Sequence, residues 1–137
     1  MQVSPYIGFG GRCEEAINFY KKVLGATVDM IMHMKDAPEP IPGAGDKGNL
    51  VLHAAFRVGN SAIFGTDCAP AIPENFQGFS LSLTVANEAE AKKSFNALSE
   101  GGKVHQPLMK TFFSPSFGVV ADKFGVSWMV YVPGQPA

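Results

Sequence analysis

One pattern of residues is written twice along this chain, and that repetition restricts the fold more than any other feature. Tyr6–Gly25 reads as a short apolar strand, a turn, and an amphipathic helix that stops at glycine. Ala16, Ile17, Tyr20, Val23 and Leu24 recur at helical spacing. Glu14 and Glu15 lie in the first turn and Lys21 and Lys22 near the end, both favourable to the helix dipole, and Gly25 supplies the stop. The pattern returns roughly 75 residues later. Phe79–Val85 alternates as a half-buried strand, and Asn87 with Glu90 has the spacing of a capping box. Ala91, Phe95 and Leu98 mark the buried stripe of a second helix, which Gly101 and Gly102 close.

Strands follow each helix. In the first unit they are expected at about Thr27–Lys35, Leu50–Val58 and Ser61–Thr66, the last two joined at Gly59-Asn60, where both residues tolerate positive φ. In the second they are expected at about Lys103–Lys110, Phe117–Asp122 and Ser127–Val132, with Asp122-Lys123-Phe124-Gly125 as the tight turn. The spacing therefore predicts one α+β domain over 1–137, built of two βαβββ modules (about 4–67 and 78–132). Their mixed sheets are expected to be cupped around a cleft, with the helices on the outer faces; such a cleft is a default ligand site. Asp36–Gly48, with three prolines and three glycines, is expected to be a mobile loop, Ala69–Gly78 a linker, and Gln135 onward a tail.

Composition removes several function classes. Only 17% of residues are charged and the formal net charge is −1, which offers no pull toward nucleic acid or anionic membrane. The N-terminus lacks the basic start and apolar run of a signal peptide, and no segment approaches the ~20 apolar residues of a membrane span. The expectation is a cytoplasmic chain with no nucleic-acid or membrane partner. Cys13 and Cys68 stand far apart without C-x-x-C spacing, as in a reduced protein.

Several stretches resemble a known family. Phe19-Tyr20-Lys21-Lys22-Val23-Leu24-Gly25 is similar to the FY-x-x-x-LG signature of glyoxalase and bleomycin-resistance proteins. Ser4-Pro5-Tyr6-Ile7, His53-Ala54-Ala55-Phe56-Arg57-Val58 and Asp122-Lys123-Phe124-Gly125-Val126-Ser127-Trp128-Met129 resemble the PhnB-like branch of the vicinal oxygen chelate superfamily, some members of which carry a 3-demethylubiquinone methyltransferase label. The resemblance covers nearly the whole chain. It implies paired βαβββ modules, commonly a homodimer, and, in metal-dependent relatives, four His, Gln or Glu ligands from the first and last strand of each module. Carried over one at a time, those positions fall on Pro5, at or beside Phe64, on Ser80 and on Met129. Catalytic Zn²⁺ needs about three protein ligands, and Mg²⁺ or Mn²⁺ prefer oxygen donors such as carboxylates. Pro, Phe, Ser and Met supply no such set, so the expectation is no metal and no cofactor.

The candidate site residues follow from strand parity. His53, Ala55 and Arg57 share one face, with Phe64 across from Ala55 and Thr66 across from His53. His53 suits an orienting donor, a general acid/base, or a structural histidine. Ser80, Ser82 and Thr84 form a hydroxyl stripe that suits a polar ligand or a solvated face. Phe112, Phe113 and Phe117 flank Ser114-Pro115-Ser116 and suit stacking on a planar ligand, or core and dimer packing. Met129 completes the set. His33 and His105 read as rim histidines, Trp128 as core, Cys13 as an inert thiol, and Gly8, Gly10 and Gly11 as a turn rather than a dinucleotide loop. No serine sits in a G-x-S-x-G elbow. The leading expectation is metal-free binding of a small molecule. The alternatives are a metal-dependent lyase, isomerase or dioxygenase with a relocated site, and a drug-sequestering resistance protein. Fold alone does not choose among them.

Overall fold

The computed structural model describes residues 1–37, 48–67 and 76–134. The expected Pro-rich loop and linker fall largely, and the tail entirely, outside them. The chain divides into two compact units, Met1–Glu74 and Asn75–Ala137, each a βαβββ module. The first contains β1 (Tyr6–Gly8), α1 (Cys13–Leu24), β2 (Thr27–His33), β3 (Val51–Val58) and β4 (Ser61–Thr66). The second contains β5 (Leu81–Thr84), α2 (Glu88–Ser99), β6 (Lys103–Met109), β7 (Phe117–Ala121) and β8 (Ser127–Tyr131). The sheet orders are β1-β4-β3-β2 and β5-β8-β7-β6, the same topology twice. In both, the first and last strands run parallel and the remaining pairs antiparallel. Among the described residues no helix is long and apolar enough to cross a membrane.

In the first unit α1 buries Cys13, Ala16, Ile17, Phe19 and Tyr20. Tyr20 stacks on Phe56 of β3, with ring centroids 6.0 Å apart and planes 17° apart. Burying each such side chain contributes about 1.5–3 kcal/mol. Both aromatic residues of the Phe19-Tyr20 pair therefore work in the core, whereas Val23 and Leu24, expected in the stripe, are only half-buried.

The helix has no side-chain cap of its own at Arg12. A distant residue serves instead. One carboxylate oxygen of Asp67, just past β4, accepts from the Gly11 and Cys13 amides at 2.8 and 2.9 Å, and the other accepts from the Val51 amide at 2.9 Å. One side chain thus ties together the N-terminus of α1, the start of β3 and the end of β4. Gly25, in the left-handed region at φ 66°, ends the helix.

In the second unit Ala91, Phe95 and Leu98 of α2 pack toward Val120, Trp128 and Val130. Phe95 lies so close to Gly118 of β7 that an added Cβ would stand 2.7 Å from its ring. The Asn87 cap forms as expected, its side chain accepting from the Glu90 amide at 2.9 Å. The return bond differs: Glu90 accepts from Ala86, one residue before the cap, at 3.0 Å. Asp122 is 3% exposed and holds the β7–β8 turn. It accepts from the Phe124 and Val126 amides and, at 2.9 Å, from the Trp128 indole N–H.

Two local expectations are corrected. Only Gly59 of the β3–β4 hairpin has positive φ, at 59°, so the turn follows the pattern with glycine first rather than the one with both residues positive. β2 ends at His33 rather than Lys35, because the Asp36 carboxylate accepts the His33 amide and turns Met34–Asp36 into a short 3₁₀ helix.

Asp67→Ala strips three backbone amides of their acceptor. The expected loss is about 2–4 kcal/mol, from three bonds of roughly one each. Urea denaturation measures it, and Asp67→Asn, which keeps one acceptor oxygen, is expected to lose less.

Candidate functional site

Each sheet has one face packed under its helix and one that no helix of its own unit covers. In β3, Ala54 and Phe56 are buried on the helix side while His53, Ala55 and Arg57 are half-exposed on the other. Phe64 pairs with Ala55, as expected from the hairpin, and β1 adds Tyr6 beside Phe64. Three rings meet here. Tyr6 Oη lies 3.2 Å from His53 Nδ1. The centroid distances are 5.7 Å for Tyr6–His53, 5.7 Å for His53–Phe64 and 6.2 Å for Tyr6–Phe64. Met30 and Met32 of β2 pair with Ala55 and His53, adding thioethers that adapt to irregular shapes.

The expected pairing of Thr66 with His53 does not form. The regular ladder ends at Ala54–Gly65, beyond which the Asp67 amide bonds to the Val51 carbonyl. At the same point the Asp67 side chain accepts from the Val51 amide and from the amides at the start of α1. Thr66 is buried, with its hydroxyl 2.7 Å from the Leu52 carbonyl.

Arg57 shares the open face but not the ring cluster. Its guanidinium donates from Nε and Nη2 to both carboxylate oxygens of Asp29 at 2.9–3.2 Å, and that hydrogen bonding, with the carboxylate charge, raises its pKa above the ordinary guanidinium value. The two charges are spent on each other. His33 is paired with Glu14 at 2.7 Å, and His105 is exposed on β6.

The second sheet carries the other expected residues. Ser82 pairs with Met129 and Thr84 with Tyr131, which sets both hydroxyls on the open face, while Leu81 and Leu83 share the helix side with Trp128 and Val130. Ser80 is joined to Ser127, hydroxyl to hydroxyl at 2.7 Å. Phe113 stacks on Tyr131 (6.3 Å, 24°) and meets Phe117 edge-on (5.2 Å, 74°). Its turn is fixed by Thr111 Oγ1, which accepts from the Phe113 and Ser114 amides. Phe112 touches Phe113 edge-on and is otherwise fully exposed, so it is not core.

The expected residues therefore fall into two sets by sheet: His53, Arg57 and Phe64 on the first, and Ser80, Ser82, Phe112, Phe113 and Met129 on the second. Sequence reasoning missed Tyr6, Asp29 and Tyr131. A strand as short as β1 shows no alternation from which the side of Tyr6 could be read. Asp29 falls where the β2–β3 register shifts, which breaks the parity rule.

The register also adjusts the positions compared with metal ligands. Beside Phe64 stands Tyr6 rather than Pro5, and beside Met129 stands Ser82 rather than Ser80. A phenol, a phenyl ring, a hydroxyl and a thioether do not make a Zn²⁺, Mg²⁺ or Mn²⁺ donor set. Among the described residues no three His, Cys, Asp or Glu are grouped to hold a metal ion. The family metal centre does not fit these side chains.

Comparison with known proteins agrees with this architecture. The model of the family described as 3-demethylubiquinone-9 3-methyltransferase matches residues 1–131. Protein YjdN of Escherichia coli (strain K12) is 34% identical over 143 residues, covering 98% of this chain and 97% of YjdN. The crystal structure of protein PA1353 from Pseudomonas aeruginosa is similar at TM-score 0.86 and 41% identity, over 98% of this chain and 99% of that one. The Bacillus cereus PhnB protein, described as a putative 3-demethylubiquinone-9 3-methyltransferase, is similar at TM-score 0.77 and 29% identity, over 96% and 99%. Glyoxalase-related and bleomycin resistance/dioxygenase proteins at 14–18% identity share the fold alone. With its repeated βαβββ topology and this match along nearly its whole length, the chain belongs to the PhnB-like family described as 3-demethylubiquinone-9 3-methyltransferase.

Proposed function

We propose that this protein binds a small organic molecule on the open face of its first sheet, at Tyr6, His53 and Phe64, without a metal centre. The observation that carries this reading is a cluster of three rings left half-open on a sheet face, with Tyr6 48% exposed. Aromatic surface of that kind is costly to leave in water, and it suits a flat ligand. His53 adds one directional polar group. The hydroxyls of Ser82 and Thr84, with Phe113, Tyr131 and Met129, give the second sheet a lining of the same mixed character.

Specific observations weigh against the competing readings. A relocated metal centre would need carboxylates around His53, whose hydrogen-bond partner is a phenol. Sequestering a cationic drug would need uncompensated acid on this face, and Asp29 is bound to Arg57.

The family description names a methyl transfer, which requires S-adenosylmethionine. Gly10 and Gly11 lead into α1 as a cofactor loop would, but the amides of Gly11 and Cys13 are already taken by Asp67. The parallel pairings next to the helices involve strands of only three and four residues, unlike the long parallel sheets that carry nucleotide loops.

Native mass spectrometry of freshly purified protein tests the binding reading. The expected result is a co-purifying small molecule that is lost in Phe64→Ser and weakened in His53→Ala, both variants remaining folded by circular dichroism. A ligand retained at full occupancy in both variants contradicts it. Calorimetric titration with S-adenosylmethionine is expected to give no binding heat. Elemental analysis, after purification without chelators or metal-affinity media, is expected to find only substoichiometric Zn, Ni, Mn and Fe.

A further inference from the structure

We infer that Tyr6 fixes the tautomer of His53, so that the ring cluster selects flat, conjugated ligands that present a hydrogen-bond acceptor. This rests on the ligand seat proposed above and adds what that seat recognises.

Tyr6 Oη and His53 Nδ1 are 3.2 Å apart, within hydrogen-bond distance. Either atom could carry the proton. A phenol is much the stronger acid of the two neutral donors, and the imidazole lone pair is a much better acceptor than a phenol oxygen. The phenol therefore donates, Nδ1 accepts, and the single ring proton of neutral His53 resides on Nε2. No side chain or backbone group among the described residues engages Nε2. His53 thus offers an N–H donor whose natural partner is a carbonyl or carboxylate oxygen.

Shape follows from the neighbouring ring. The Phe64 plane is tilted only 26° from the imidazole plane. A flat molecule that meets Nε2–H coplanar with the imidazole lies within about that same angle of parallel to Phe64, the relative orientation that stacking needs. The contribution of charge is small, because Arg57 is neutralised by Asp29 on the same face. Donor direction and ring stacking are left to discriminate.

Tyr6 is on this account a positioning residue, because it acts through His53. Long-range ¹H–¹⁵N spectra of histidine-labelled protein at about pH 8, where imidazole is neutral, read the tautomer directly. A His53→Gln variant assigns the signal among the three histidines. Wild-type protein is expected to show the Nε2–H form alone, and Tyr6→Phe a mixture. The probes are 2-naphthoate, an acceptor, and 2-naphthylmethylammonium, a donor of the same shape. Naphthoate is expected to bind at least about tenfold tighter, the worth of one charge-assisted hydrogen bond. In Tyr6→Phe that ratio is expected to fall to about threefold or less, with Phe64 still perturbed by both probes.

An Nδ1–H tautomer in the wild type overturns the inference, as does a probe ratio that Tyr6→Phe leaves unchanged. If neither probe perturbs His53 and Phe64, the ligand seat fails; the tautomer spectra still decide the role of Tyr6.

Discussion

The side chain of Asp67 does for the first helix what that helix cannot do for itself. A helix begins with amides that have no partner within it, and α1 starts after Gly10, Gly11 and Arg12 with no capping side chain in line. Asp67 reaches them from the far end of β4 and holds β3 with its other oxygen. Its negative charge at a helix N-terminus is favourable as well. The strand pairing changes at the same place. The ladder slips beyond Gly65, Thr66 turns inward, and Phe64 becomes the last open-face residue of β4 in the regular ladder. The ring cluster stands just inside that point, where the hairpin register still pairs Phe64 with Ala55.

Asp122 plays the comparable part in the second unit with different partners, bracing the β7–β8 turn and the Trp128 indole. In both units the helix closes down on a glycine: Cys13 beside Gly65 in one, Phe95 beside Gly118 in the other. These close approaches use one face of each sheet for packing and leave the other free to differ in chemistry. The two units share a topology and differ in their open-face side chains. Tyr6, His53 and Phe64 stand on one open face; Ser82, Met129 and Tyr131 stand on the other.

Much of this was legible in the sequence because the relevant signals are local. Helical spacing located α1 and α2, alternation located β3 and β5, and glycines marked the helix ends. Pairing Phe64 with Ala55 followed from a two-residue hairpin. What was not legible depended on contacts between distant segments. Nothing near Asp67 announces a helix cap more than fifty positions earlier. Tyr6 acquires its meaning only when β1 is laid parallel to β4, and Arg57 loses its availability only when the bulge in β2 brings Asp29 to it. The donor set for a metal could be judged from residue types alone, and the register then replaced two of its four positions without improving the set.

The proposed working surface of the first unit is a ring cluster with a directed N–H rather than a metal centre. A crystal structure tests it most directly, grown with 2-naphthoate from protein purified without chelators or metal-affinity media, with data collected at metal absorption edges. The expected result is the naphthalene ring against Phe64, its carboxylate within hydrogen-bond distance of His53 Nε2, and no anomalous peak at the site. An ordered metal ion ligated by His53, or naphthoate bound elsewhere with the three rings left open to solvent, would contradict it.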